Sequence, residues 1–452
     1  MADGLTTAGA GSPDTGSSPT LPGGRRSTDG RGPSDGRRSF EGRGSSAGRR
    51  SSGAVTWWRA RYRVVPWWVR ITVVYVLARF VTGAMMSVFA GMQTANSFTG
   101  QHPRYLAFAS IWDGAWYRVI ATGGYPSTLP VDAAGHVTEN AWAFMPAYPF
   151  LVRALMTVTG ASFELVAVSV SLVAGWGAAL VFRRLMGRFL DPTRATFATV
   201  LFCVAPVSAM FQVAYAESMG LFLLLVALLL LVERRFWTMV PVVLLLGMTR
   251  PTGLAFALLM GAFVVVWVVR PTWLRHDHRP SVRQLVPPVV VAAVSGVVGL
   301  AWPAIAWAVT GVPRAYTDTE LAWRSSYIGW KDLVPFAPWV QGFGWWFRQP
   351  TGSVLLVVVL VGFVAFVVMP ASRRLGLELR LWAVAYLVYL LAVFFPQSST
   401  WRILLPIAPL LGIVALPRSR LYRVVVVVLF LVLQWVWLDW CWWVDGYDWT
   451  PP

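Results

Sequence analysis

Lysine is almost absent from this chain: Lys331 is the only one, and arginine supplies the rest of the 38 basic residues, set against 20 acidic ones. Charge of either sign is scarce, at 13% of residues, where soluble domains carry about 25%. That shortage excludes an ordinary water-soluble fold. The two cysteines, Cys203 and Cys441, lie in or beside apolar segments, so no disulfide framework is implied. The four histidines and two cysteines show no metal-ligand spacing. Period-2 alternation, the mark of a membrane barrel, is also missing.

What is present is apolar: 56% of the 452 residues are hydrophobic. Runs of bilayer-crossing length, about 20 residues, recur between residues 65 and 440. The chain reads as an all-α polytopic membrane protein. A formal charge of +18 invites a nucleic-acid reading, but the arginines sit in an N-terminal tail and in short turns between apolar runs. There, positive charge sets orientation, and no nucleic-acid partner is expected.

Residues 1–52 are Gly, Ser, Pro, Arg and Asp, with Arg-Arg-Ser recurring near Arg25, Arg37 and Arg49. Such a segment buries too little apolar surface to fold, and a disordered cytoplasmic tail is expected. Residues 53–452 are the membrane domain. Hydropathy places spans at 65–91, 163–183, 196–212, 216–232, 236–249, 253–269, 286–310, 351–370, 379–396, 402–416 and 421–440, roughly eleven in all. The apolar stretch 143–158 contains Pro146, Pro149 and Arg153. Counting it as a crossing would flip the later arginine-rich turns outward, against the positive-inside bias, so it reads as interfacial or re-entrant. Two large outer loops result, 92–162 and 311–350. Chemistry is to be sought on that side.

The first outer loop contains Ile111-Trp112-Asp113-Gly114-Ala115-Trp116-Tyr117-Arg118. As a helix over 110–121, it puts Trp112, Ala115, Trp116 and Val119 on one stripe. Ser110, Asp113, Tyr117 and Arg118 then fall on the other side, so Asp113 is expected to face water or a cavity. Ser110-x-x-Asp113 also fits a capping box, in which the carboxylate would only satisfy backbone N–H groups. Arg250 and Arg402 lie on the outer side, against the orientation bias, which asks for a reason. They could clamp a phosphate or simply snorkel to lipid phosphate. Glu217 opens a span at the outer face, where a carboxylate is favourable without any function. Asp132, His136 and Glu139 read as solvated loop residues. In the second loop, Asp318, Glu320, Arg324, Lys331 and Asp332 stand among Trp323, Trp330, Trp339, Trp345 and Trp346. That mixture suits either sugar stacking or the ordinary interfacial belt, and the belt explains most of it.

The order Trp112-Asp113-Gly114-x-Trp116-Tyr117…Gly124-Tyr125-Pro126, then Ala143-Phe144-Met145-Pro146-Ala147-Tyr148-Pro149, Tyr215-x-Glu217-Ser218 and Thr249-Arg250-Pro251-x-Gly253 resembles the PIG-V-type (GPI mannosyltransferase II-like) family of the GT-C glycosyltransferase superfamily. The resemblance covers residues 65 to the C-terminus, without the large soluble C-terminal domain of some GT-C enzymes. It implies a GT-C-like fold with interfacial helices in the first outer loop, in a bacterial cytoplasmic membrane. It implies Asp113 as the catalytic carboxylate and an inverting transfer, with mannose the expected sugar. The donor would be a polyprenyl-phosphate sugar, its phosphate held by Arg250 and Arg402; the acceptor would be a glycan, glycolipid or protein. Trp112, Trp116, Tyr117, Tyr125, Tyr148 and Glu217 are the further candidates for substrate contact. No metal ligands are assigned, although some relatives use a divalent metal. Two other classes stand beside this reading: a lipid or solute transporter or flippase, for which internal repeats and a midplane charged site would be expected, and a non-catalytic partner in envelope glycan synthesis. Convergence of Asp113, Arg250 and Arg402 on one outward cavity with a side opening to lipid is the geometry that separates them.

Overall fold

The computed structural model describes residues 65–274, 278–444 and 451–452; the expected tail, 1–52, lies outside them. Among the described residues the structure is helical, with one isolated bridge, Val131 to Val137, in place of any strand. The principal helices are α1 (Trp67–Met92), α2 (Asp113–Gly123), α3 (Ala147–Thr159), α4 (Phe163–Met186), α5 (Pro192–Cys203), α6 (Glu217–Val232), α7 (Phe236–Gly247), α8 (Gly253–Val269), α9 (Val282–Thr310), α10 (Ala315–Ala322), α11 (Ala337–Phe347), α12 (Thr351–Val368), α13 (Gly376–Val393), the single turn α14 (Thr400–Ile403) and α15 (Arg420–Trp437). Six segments, containing α1, α4, α9, α12, α13 and α15, are long and apolar enough to cross a membrane. Helices α6, α7, α8 and the segment Leu405–Val414 are equally apolar but shorter.

Helix boundaries follow the local sequence. Asp191 accepts from the backbone N–H groups of Thr193 and Arg194 and so caps α5, with Pro192 in its first turn. Ser162 caps α4 through Leu165. Helix α3 starts after Pro146 and ends at Gly160, whose φ of 68° is the left-handed value a terminal glycine supplies. At 13 residues α3 is about 20 Å long, short for a crossing. It packs against α2 and α4.

Two expected spans are not continuous helices. The segment 196–212 breaks after Cys203, ahead of Pro206, and resumes as a 3-10 turn, Ser208–Gln212. Non-helical backbone at membrane depth is tolerated only where protein satisfies it. Here α1 does so through the buried Arg79. Its Nη2 donates to the Cys203 carbonyl at 2.6 Å and to Ser208 Oγ at 3.1 Å. Its Nη1 donates to the Ser208 carbonyl and to Gln212 Oε1. Gln434 of α15 adds a bond to Ser208 Oγ at 2.6 Å. Arg79→Ala would remove the guanidinium from the buried Cys203 and Ser208 carbonyls, each lost pairing costing about 1–3 kcal/mol. The expected result is a thermal midpoint in detergent well below wild type; an unchanged midpoint would remove this account.

The second broken span is 402–416. Pro406 and Pro409 lack the N–H a helix interior needs, and the segment divides into α14, a 3-10 stretch Leu405–Leu410 and the turn Leu411–Val414. Helix α13 takes up freed carbonyls. Tyr386 Oη donates to the Ile403 carbonyl at 2.7 Å, and Trp382 Nε1 to the Pro406 carbonyl at 2.8 Å. This anchoring fixes the turn that bears Arg402.

Candidate active site

Helix α2 starts at Asp113, not at Ser110, and no side chain caps it. The alternative capping box does not form: Ser110 Oγ donates back to the Leu106 carbonyl at 2.9 Å. The residue ahead of the helix, Trp112, has φ 57° and ψ −128°, a conformation that is costly for a side chain of this size. It is held there by an indole N–H bond to the Trp442 carbonyl at 3.0 Å, while the Trp442 indole donates to the Phe108 carbonyl at 3.1 Å. The tryptophan-rich C-terminal segment therefore props the strained turn that aims Asp113.

The face expected to meet water or a cavity turns inward in part: Ser110 and Tyr117 are buried and Arg118 is exposed, while Trp112 of the apolar stripe is buried. Gly114, Tyr117, Ile120 and Ala121 are buried, whereas Val119 of the apolar stripe is exposed. Asp113 thus points into the protein. The physical reason is that an apolar stripe marks the core only when the surroundings are water; beside lipid the apolar face can be the outer one.

Inside, Asp113 meets three other charged side chains. Arg402 Nη1 donates to Asp113 Oδ2 at 2.6 Å and to Glu217 Oε1 at 2.6 Å. Arg250 Nη1 lies 3.3 Å from the same Glu217 oxygen. Four separate elements bring them together: the start of α2, the start of α6, the α7–α8 turn and α14. Backbone contacts fix the register. Ala214 N–H donates to the Ala109 carbonyl at 2.8 Å, Asp113 N–H to Tyr215 Oη at 3.0 Å, and Ala147 N–H to the Met248 carbonyl at 2.9 Å. The guanidinium of Arg402 also lies over the Tyr215 ring, 5.3 Å from its centroid.

The cluster is largely closed: side-chain exposure is 5% for Glu217, 9% for Arg402, 15% for Asp113 and 19% for Arg250. Burial pushes the Asp113 carboxyl above its ordinary range. The Arg402 guanidinium opposes that shift, and the Glu217 carboxylate adds to it. For Arg250 burial pulls downward, but the neighbouring carboxylates outweigh it and it stays cationic. Two buried polar atoms of the cluster, Glu217 Oε2 and Arg402 Nε, have no hydrogen-bond partner.

Other candidates are placed differently. Tyr117 packs edge-on against Phe144, Tyr148 and Tyr215, forming the wall behind the cluster. Tyr148 donates to the Ala167 carbonyl at 2.9 Å, and Tyr125 to the Phe144 carbonyl at 2.8 Å. Trp116 stacks on Phe144 and meets Trp323 of the second loop edge-on. Asp132 accepts from the backbone of Ala134 and His136, ordering its own exposed turn, and His136 stacks on Trp330 at 4.2 Å. Arg314 pairs with Asp318 and Asp332, and Arg324 with Glu320. A cavity of 530 Å³ flanks α2 beside Ala115, where Arg118 pairs with Glu164 at 2.6 Å; Asp113 is not in its lining.

The donor set does not suit a resident divalent cation. The two carboxylates that approach each other already share Arg402, and among the described residues no three His, Cys, Asp or Glu side chains gather. The arrangement suits a different chemistry: a carboxylate with raised proton affinity beside two guanidinium groups, where a group that gains negative charge could be received.

No family model and no curated protein sequence matches the chain. Among solved structures, it is similar to the Archaeoglobus fulgidus oligosaccharyltransferase in complex with Zn and sulfate, with a TM-score of 0.43 and 15% identity over 84% of this chain and 54% of that one. It is likewise similar to the archaeal oligosaccharyltransferase AglB from Archaeoglobus fulgidus in complex with an inhibitory peptide and a dolichol-phosphate, with a TM-score of 0.43 and 13% identity over 86% of this chain and 57% of that one. The chain spans little more than half the length of these structures.

Proposed function

We propose that this chain is an integral membrane glycosyltransferase that moves a sugar from a polyprenyl-phosphate donor to an envelope acceptor at the outer face of the membrane. In this reading the membrane domain crosses roughly eleven times with its N-terminus in the cytoplasm. Mannose is the sugar the family resemblance implies. The observation that carries the reading is the convergence of Asp113 with Arg402, Glu217 and Arg250 from four elements distant in sequence.

Asp113 takes the proton of the acceptor hydroxyl as general base. The acceptor oxygen forms a bond to the anomeric carbon, and the bond from that carbon to the phosphate oxygen breaks with its electron pair left on the phosphate. Asp113 ends neutral and the polyprenyl phosphate gains one negative charge, which Arg402 and Arg250 receive. The direct experiment is transfer from labelled polyprenyl-phosphate-mannose into acceptor-containing membranes. Wild-type protein that transfers no sugar from any polyprenyl-phosphate donor would remove the reading.

One position tests the clamp without touching a charge. A Cβ placed on Gly220 would sit 2.8 Å from Arg250 Cγ, too close to coexist with the present position of that stem. Gly220→Ala is therefore expected to push Arg250 away from Glu217 and raise the donor KM severalfold, with a smaller change in kcat. Equal donor KM values for the two proteins would show that Arg250 does not hold the phosphate.

A further inference from the structure

Glu217 occupies the centre of the cluster, although it is neither the proposed base nor one of the two proposed phosphate ligands. One of its oxygens, Oε1, takes both guanidinium groups, Arg402 at 2.6 Å and Arg250 at 3.3 Å. Its second oxygen is buried without a partner, which a purely structural ion pair would normally close. Arg402 divides a single nitrogen, Nη1, between Glu217 and Asp113 at equal distances of 2.6 Å.

We propose that Glu217 is a positioning residue that holds Arg402 and Arg250 side by side and shares Arg402 with Asp113, so that the guanidinium is not committed to the base. This rests on the glycosyltransferase reading above and assigns Glu217 a role within it. Two arginines converging in a largely closed site repel each other, and Glu217 is the carboxylate that touches both. The charge count agrees. Two guanidinium groups and two carboxylates sum to zero before a donor arrives, so each arginine is compensated while it waits. Without Glu217, Asp113 becomes the sole carboxylate partner within reach of Arg402. A tighter pair stabilises the ionised carboxylate, makes it a weaker base and leaves the guanidinium less free to receive the charge that develops on the phosphate as its bond to the sugar breaks. The groups facing Asp113 are Arg402 of α14, Glu217 and Tyr215 at the start of α6, Arg250 of the α7–α8 turn and Tyr117 of α2 itself. Of these, Glu217 is the one negative charge.

The test is the pH profile of transfer by the full-length protein, with labelled polyprenyl-phosphate-mannose as the varied substrate. Glu217→Gln is expected to move the acid limb of kcat/KM to lower pH and to reduce kcat by about tenfold. The donor KM is expected to hold or fall, because the site is one charge more positive. Glu217→Asp, which keeps the charge but withdraws it by one methylene, should retain the wild-type limb with intermediate kcat, and it serves if the glutamine variant does not insert. A limb that stays in place in Glu217→Gln, or a loss confined to KM, overturns the role of Glu217. Full activity in Asp113→Asn would instead remove the base, and with it the reading on which the role rests.

Discussion

Asp113→Asn is expected to lower the rate of sugar transfer by roughly 10²–10⁴-fold, the range a positioned general base contributes, while leaving the protein inserted and folded. Both halves follow from the geometry. The amide oxygen of asparagine can still accept from Arg402, and Arg402 keeps its 2.6 Å contact with Glu217, so the cluster does not lose its central cation. What is lost is the group that can take a proton. Because burial raises the Asp113 carboxyl above its ordinary range, wild-type activity should fall, as pH decreases, at a higher pH than an exposed aspartate would give. The active form is deprotonated; lowering the pH through the raised value protonates it and stops the reaction. The residual activity of Asp113→Asn should lack this acid limb. Initial rates with labelled polyprenyl-phosphate-mannose across that range, together with thermal melts in detergent, check both expectations. A stably inserted mutant with wild-type rates would end the assignment of Asp113 as the base.

Some of this site was legible in the sequence and some was not, for identifiable reasons. Hydropathy and arginine placement marked the helical segments. The prolines that break two of them, Pro206 and the Pro406–Pro409 pair, stood in plain view inside apolar runs. Hydropathy averages over the missing N–H groups, so the runs read as unbroken spans. Periodicity left Asp113 facing water or a cavity, because it cannot tell a face that meets lipid from one that meets core. Arg250 and Arg402 were singled out by their outward position, an electrostatic anomaly, and they do share one cluster. Glu217 was undervalued because a carboxylate at a helix start is favourable on its own. The signal that could have raised it was charge balance. Two arginines in short outer turns need a partner, and among the turns 214–217, 249–251 and 397–401 Glu217 is the only acid. The support of Trp112 by Trp442 joins residues 330 apart in sequence, which no local pattern reveals.

Arg402 is where stability and activity should separate. Arg402→Ala leaves Asp113 and Glu217 facing each other in a largely closed site with only Arg250 beside them. Removing one partner of a buried pair costs about 3–5 kcal/mol, and part of that cost would be met by a carboxyl taking up a proton. The expected result is a marked fall in the thermal midpoint and transfer below detection. Arg250→Ala should cost less stability, because Arg250 makes a single, longer contact at 3.3 Å and is more exposed. If both effects of Arg402→Ala came only from a damaged fold, restoring the fold would restore activity. The double variant Asp113→Asn/Arg402→Met asks that question. It replaces a buried ion pair by neutral groups of similar size, which is often neutral or stabilising in itself, and leaves Glu217 with Arg250. Its midpoint should recover most of what Arg402→Ala loses, while transfer stays absent, since both the base and the main cation are gone. Recovery of transfer together with the midpoint would mean that the Asp113–Arg402 pair serves the fold alone. Recovery of the midpoint without transfer would assign the pair to the reaction.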